Sequence, residues 1–200
     1  LHDLPGGKQI LLVGQKSGMI YGLDPERNGA KIWERKLSNG SALGGIEFGT
    51  AADATRVYAG VSDIVVMDAN RGKPGLWALD AATGAVIWNQ PGNPKPTCRW
   101  KNFWCHGAIS QAISVIPGAV FAGAYDGHFR AYDAETGRII WDVDTGTDPV
   151  KTVNGKDAYG GVMDGSGPTI AGGMVYVHSG YAGRSGATGG RSMRNADGNV

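Results

Sequence analysis

The sequence is short of net charge. Its 19 lysines and arginines face 18 aspartates and glutamates, a formal balance of +1, and no basic stripe or cationic amphipathic segment stands out. A chain this neutral has no electrostatic footprint for nucleic acid or an anionic membrane surface. Apolar runs of 18 residues are also missing, which excludes a membrane-spanning helix within these residues. The opening "LHDLPGGKQI" has neither an initiator Met nor a signal peptide, so a piece of a longer polypeptide is expected, its targeting segment elsewhere. Cysteine is scarce: Cys98 and Cys105 both lie in "TCRWKNFWCHG". No CxxC pair accompanies them, so no zinc or c-type haem signature is present. Close spacing in a loop favours a disulfide made in an oxidising compartment, with two free thiols as the other reading.

Glycine, by contrast, is abundant, at 34 of 200 residues, and 42% of the chain is hydrophobic. Many tight turns and an all-β fold are expected. In "LLVGQKSGMIYGLD" (11–24) two apolar runs flank Gln15-Lys16-Ser17-Gly18, a hairpin turn in which Gly18 supplies the unusual dihedrals and Lys16 sits at the tip. Lys16 is either ordinary turn decoration or a positive charge aimed at something.

Self-similarity is the strongest signal. "WALDAATGAVIW" (77–88) and "RAYDAETGRIIW" (130–141) share one pattern, and "YGLDPERNGAKIW" (21–33) repeats it with one extra residue. The three closing tryptophans stand 55 and 53 residues apart. Each copy reads as strand, Asp/Thr/Gly turn, strand ending in Trp. The Asp and Thr cap the turn and the Trp packs between neighbouring units, so these residues hold the fold. Upstream of each copy lies another hairpin, with Gly14, Gly18 and Asp24 matching Gly123, Gly127 and Asp133. Further upstream come glycine-opened segments, "GGIEFGTAA", "GAISQAISV" and "GSGPTIAGG".

One repeat is therefore four antiparallel strands, A to D, the grammar of a β-propeller blade. We expect strands B to D of one blade over 8–37, full blades over 43–89 and 107–142, and the start of a further blade over 166–200. Blades bury their faces only against neighbours, so the chain should be an arc of a larger ring, closed by further blades from the same gene or another chain. Strand direction alternates, which places B–C turns and D–A loops at one face. That face carries the irregular segments (38–48, 62–75, 98–105 and 145–161), where sites are built on rigid scaffolds. Lys16 lies there. Its counterpart in the third blade is Tyr125, so the repeat itself does not demand a lysine.

"LLVGQKSGMIYGLD", "GGIEFGTAADATRVYAGVSD", "AVFAGAYDGHFRAYDAETGRIIWDVDTG" and "GPTIAGGMVYVHSGYAG" together resemble the C-terminal half of the pyrroloquinoline quinone (PQQ)-dependent alcohol dehydrogenases, and "ALGGIEFGTAAD…VSD" is most similar to their poly(vinyl alcohol) dehydrogenase branch. The resemblance covers nearly the whole chain. It implies an eight-bladed periplasmic propeller that binds PQQ and Ca²⁺, oxidises an alcohol to a carbonyl and passes electrons to cytochrome c. In that family a Lys or Arg of this B–C turn bonds the ortho-quinone oxygens, a position falling on Lys16; a cation there stabilises the charge that develops as hydride arrives at C5. Residues after the glycine pair border the cofactor. Here they are Glu47 and Phe48, where the alcohol dehydrogenases more often have Asn and Trp, so proximity is carried over and a contact type is not. Glu47 also reads as a carboxylate balancing Lys16. Trp104 and His106 open the next strand A, where they line the pocket or pack in the core.

The resemblance further implies that the Asp general base and the Ca²⁺ ligands lie upstream of this chain, since Asp3 sits too close to Lys16 to be that base. No catalytic residue and no metal ligand is expected here, and the 200-residue piece alone is expected not to oxidise alcohols with added PQQ and Ca²⁺. Two readings compete with the enzyme. One is a cofactor-free scaffold propeller of the cell envelope whose loops and Lys16 contact a partner protein. The other is a lectin-like propeller, resting only on Trp100, Phe103 and Trp104, an aromatic group that packing explains equally well.

Overall fold

The computed structural model describes residues 1–64, 72–101 and 104–180. Strands β1 (His2–Asp3), β2 (Gln9–Gly14), β3 (Met19–Asp24) and β4 (Ala30–Lys36) form a first antiparallel sheet in sequence order. A second is built from β5 (Thr50–Ala52), β6 (Arg56–Val61), β7 (Gly75–Asp80) and β8 (Val86–Pro91), and a third from β9 (Ser114–Ile116), β10 (Ala119–Gly123), β11 (His128–Asp133) and β12 (Ile139–Asp144). Two hairpins follow, β13 (Val150–Lys151) with β14 (Asp157–Ala158), and β15 (Thr169–Ala171) with β16 (Met174–Tyr176). The expected strands B to D of the first sheet are joined by β1, which is too short to show an alternation and pairs with β2 through His2–Ile10 and Asp3–Gln9.

The core lies between sheets. Ile10, Ile20 and Trp33 of the first sheet pack on Val57, Ala59 and Leu79 of the second. Tyr58, Leu76 and Trp88 of the second pack on Val120, Ala122 and Tyr132 of the third. The period of two thus sends Val57 and Ala59 to one neighbour and Tyr58 to the other. With both faces covered, β6 reads as a nearly unbroken apolar run.

The Asp/Thr turns are built locally. Asp80 Oδ1 accepts from the Thr83 amide and hydroxyl, both at 2.8 Å, and Asp133 Oδ1 from those of Thr136 at 2.8 and 2.7 Å. The Thr136 hydroxyl and amide hold the Asp133 carboxyl below its ordinary range. In the copy with the extra residue, Asp24 instead caps a 3-10 turn over Pro25–Arg27. Two of the three closing tryptophans reach the turn of the following sheet: Trp33 Nε1 donates to Ala81 O at 3.0 Å and Trp88 Nε1 to Ala134 O at 3.1 Å, while Trp141 is half exposed.

The other end of the sheets is clamped by a second repeated contact. Ile46 N donates to Gln15 O (3.0 Å), Ile109 N to Val61 O (3.2 Å) and Met163 N to Ala124 O (3.3 Å). Each bond ties a B–C turn to the opening of the next strand A. The incoming side chain lies against the glycine that ends strand B. A Cβ on Gly14 would come within 2.4 Å of Ile46, one on Gly60 within 2.6 Å of Ile109, and one on Gly123 within 2.5 Å of Met163 Sδ. Close approach, not turn geometry, is why this position is glycine in all three copies.

Candidate functional site

The clamp brings the irregular loops together. The β2–β3 turn closes through Gly18 N to Gln15 O at 2.9 Å, with Gly18 at φ 78°. The following D–A loop folds back under it: Leu37 N donates to Gly18 O, and Gly45, at φ 66°, lies so close that a Cβ would sit 2.4 Å from Lys16 O. Asp63 pins this loop from the second sheet. Its Oδ1 accepts from Gly45 N at 2.8 Å and Ser38 Oγ at 3.0 Å, and its Oδ2 from Lys73 N at 3.0 Å.

Lys16 Nζ donates to Ala42 O at 3.0 Å and lies 3.1 Å from Glu47 Oε1. The two partners differ sharply in exposure, 55% for the lysine side chain and 2% for the glutamate. Lys16 thus gives one hydrogen bond to Ala42 O and pairs by charge with the buried Glu47 carboxylate, while about half of its side chain stays open to solvent. Phe48, the next residue, is half exposed. Lys16, Glu47 and Phe48 form one group.

Trp104 and His106 form another, one loop further on. Trp104 stacks on Tyr125 with centroids 6.1 Å apart and planes 28° apart. His106 lines a cavity of about 750 Å³ together with Asp63, Lys73, Trp77, Pro91 and Cys105. Cys98 and Cys105 are joined in a disulfide, Cα to Cα 5.7 Å, which decides between the two readings of that pair. Trp100 is buried and packs over Gly127 and Gly146, so of the three aromatics considered for carbohydrate it is core; Phe103 lies outside the described residues.

Burial pushes the His106 imidazole below its ordinary value, with the Asp126 and Asp63 carboxylates pulling the other way. The neutral ring is therefore favoured in the folded state. Its contribution to stability is complete above the unfolded value of about 6.5 and is lost as pH falls through it. We expect the urea midpoint of the protein to fall between pH 7.5 and about 5.5, and to fall less in His106→Gln; an identical slope in both would remove His106 as the cause.

Three further polar residues belong with Glu47 and were not among the candidates. Ser110 Oγ lies 2.5 Å from Glu47 Oε2 and 2.7 Å from Asp164 Oδ1, and Tyr125 donates to Asp164 Oδ2 at 2.6 Å. Glu47, Ser110 and Asp164 are the same residue of three successive strand openings: "GGIEFG", "GAISQA" and "GVMDGS". Aligning the third opening at Gly161, where Met163 meets Ala124, reveals the correspondence; aligning it at Gly165, as in "GSGPTIAGG", hides it. Among the described residues no group of three or more His, Cys, Asp and Glu side chains is arranged to hold a metal ion.

Three meandering four-stranded sheets, the first two docked on the next by a tryptophan and a loop clamp, are the architecture of β-propeller blades. A family model described as outer membrane protein assembly factor BamB matches residues 16–160 and again 76–200, and the chain belongs to this family of PQQ-type β-propellers. It is 72% identical over 199 residues to the polyvinylalcohol dehydrogenase of Sphingopyxis sp. (strain 113P3), an alignment covering 100% of the chain and 30% of that protein. It is 54% identical over 200 residues to the polyvinylalcohol dehydrogenase of Pseudomonas sp., covering 100% of the chain and 31% of the relative. The chain thus spans less than a third of the length of these curated relatives. Its fold matches the crystal structure of BamB from Moraxella catarrhalis at a TM-score of 0.51 and 21% identity, over 88% of this chain and 42% of that one.

Proposed function

We propose that this chain is the Lys16-bearing part of a periplasmic quinoprotein dehydrogenase. The whole enzyme would be an eight-bladed propeller that oxidises an alcohol, including the secondary alcohols of a hydroxylated polymer, and passes electrons to a c-type cytochrome. The observation that carries this is the Lys16–Glu47 pair: a half-exposed lysine side chain whose ammonium lies 3.1 Å from a buried carboxylate. The high identity to two polyvinylalcohol dehydrogenases supports the same reading.

The residues present fit PQQ at its quinone edge. When bound, the cofactor supplies a two-electron acceptor for the hydride of the alcohol carbon. Lys16 would hold a quinone oxygen by a charge-assisted hydrogen bond, and Glu47 keeps the ammonium in place while Ala42 O fixes its direction. Phe48 and Trp104 offer apolar and aromatic surface to a planar ring system. Ca²⁺ and the general base would come from residues outside this chain, consistent with a segment under a third of its relatives' length.

The test is a titration of PQQ into the intact polypeptide that contains this chain. A charged-group hydrogen bond is worth about 1.5–3 kcal/mol, so Lys16→Ala should weaken PQQ binding by roughly 10- to 100-fold. Unchanged affinity takes Lys16 out of the site. Failure of the wild-type protein to bind PQQ at all would favour a cofactor-free scaffold propeller, the role that the matching family model's description suggests.

A further inference from the structure

The cavity of about 750 Å³ beside His106 is lined by neither Lys16, Glu47 nor Phe48. Its described lining residues fall between 63 and 106, so it is formed within this chain, and its size lies in the range of ligand sites, roughly 300–1,000 Å³. Three segments are locked together around it. Gly92 N donates to Pro74 O at 2.9 Å, Asp63 Oδ2 accepts from Lys73 N at 3.0 Å, and a Cβ on Gly107 would come within 2.3 Å of Asn93 O. The disulfide to Cys98 fixes Cys105, the residue before His106.

The open polar groups of the cavity are of one kind. Asn93 engages its carbonyl oxygen with the Lys95 amide, which leaves its NH₂ to donate. Asn89 engages its NH₂ with Leu76 O, which leaves its carbonyl oxygen to accept. Both residues are exposed. His106 Nδ1 is enclosed and has no hydrogen-bond partner among the described residues; Nε2 is unpaired as well, and it is the ring nitrogen left open to the cavity. With burial favouring the neutral ring, Nε2 either donates or accepts. Asp63 and Lys73 are the only charged residues of the described lining. The Asp63 carboxylate is already filled by Gly45 N, Ser38 Oγ and Lys73 N. Trp77 shows the cavity carbon alone, since its Nε1 is enclosed, and Pro91 and Pro94 extend that apolar surface.

Amides and a neutral imidazole, donating at one point and accepting at another, match hydroxyl groups, which do both. They offer an ion no counter-charge. Indole and proline carbon match methylenes. We propose that this cavity is a binding subsite for a neutral polyhydroxylated chain, in which His106, Asn89 and Asn93 take its hydroxyls and Trp77 and the prolines its methylenes. It holds a stretch of the polymer away from the carbinol that is oxidised beside Lys16. The choice of polymer rests on the proposed dehydrogenase reading. Asp63 links the two places, because it lines the cavity while its Oδ1 holds the Gly45 amide, two residues before Glu47. A long substrate thereby gains contacts that a short alcohol lacks, and such remote contacts are how binding separates the two. A polysaccharide fits less well: its flat ring faces call for an exposed aromatic platform, whereas Trp77 is half-buried and Trp100 is core.

The test is calorimetric titration of fully hydrolysed poly(vinyl alcohol) into the intact polypeptide without quinone. The wild-type protein should bind the polymer, and should bind pentane-2,4-diol, a two-hydroxyl piece of it, at least about 10-fold more weakly. His106→Ala and Asn93→Ala each remove one hydroxyl contact and should weaken polymer binding about 3- to 10-fold. The surface variant Asp157→Asn should bind as wild type does. Asn93 is exposed, so its variant reports on the cavity even where His106→Ala fails to fold. No polymer binding by the wild-type protein, or an affinity that neither substitution moves, overturns the subsite. Dextran binding as tightly as the polymer, and weakened by the same two substitutions, overturns the choice of ligand in favour of carbohydrate. The outcome is separate from that of the PQQ titration. Polymer binding by a protein that takes no PQQ keeps the subsite and removes the dehydrogenase, and PQQ binding without polymer binding does the reverse.

Discussion

Trp88→Ala is expected to cost about 3–5 kcal/mol of folding stability, read as a lowered urea midpoint of the intact polypeptide. The ring is 9% exposed and sits where two sheets meet. It packs on Tyr58, with centroids 5.9 Å apart and planes at 39°, and backs against Gly137, where a Cβ would come within 2.6 Å of the indole. Truncation therefore opens a large cavity between rigid sheets that have no means of closing on it. The indole hydrogen bond is the smaller share. Trp88→Phe keeps most of the volume but leaves Ala134 O without its indole donor, since the single Tyr58 hydroxyl hydrogen is committed to Asp53 Oδ2 at 2.5 Å, so that variant should lose only about 1–3 kcal/mol. If Trp88→Ala and Trp88→Phe cost the same, the hydrogen bond and not the packing is what docks one sheet on the next.

The docking residues were legible in the sequence because they act over short range. An Asp, a Thr and a Gly within five positions specify a turn by bonding their own backbone, and a Trp at a fixed distance marks the end of the next strand. Lys16 was legible for a related reason, since a tight turn allows little choice about what stands at its tip. Glu47 as the carboxylate balancing Lys16 was one of two readings, and the 3.1 Å ion pair realises it. Ser110, Asp164 and Asp63 were not legible. Ser110 meets Glu47 across 63 positions and Asp164 across 54, and its own segment contains nothing but a small polar residue in an apolar run. Only the repeat register exposes it, and that register slips by four residues at the third opening because Gly161 and Gly165 both look like starting points. β1 was hidden for the opposite reason: two residues carry no period at all.

The second large effect is expected at Asp126, one residue after the turn-tip Tyr125 and at the position that Asp63 holds in the middle sheet. Its side chain is fully buried and grips Arg130, with Oδ2 accepting from Nη2 at 2.9 Å and Oδ1 from Nη1 at 3.3 Å; Oδ1 also accepts from the His128 amide. Burial works against the Arg130 charge, yet the Asp126 carboxylate more than offsets it and raises the guanidinium above its ordinary value. Asp126→Ala leaves that cation 9% exposed, with Asp142 as its remaining carboxylate at 3.1 Å. Breaking one side of a buried pair costs about 3–5 kcal/mol, and the surviving Asp142 contact places this variant near about 3 kcal/mol. Asp157→Asn, which breaks the exposed pair with Lys151, should cost less than about 1 kcal/mol. Replacing both partners, Asp126→Leu with Arg130→Met, should recover most of the loss, because two apolar side chains need no compensating charge. If the double variant is no more stable than Asp126→Ala, the pair is doing something that apolar packing cannot replace. The capped amide of His128, which Asp126 also serves, would then be the first place to look.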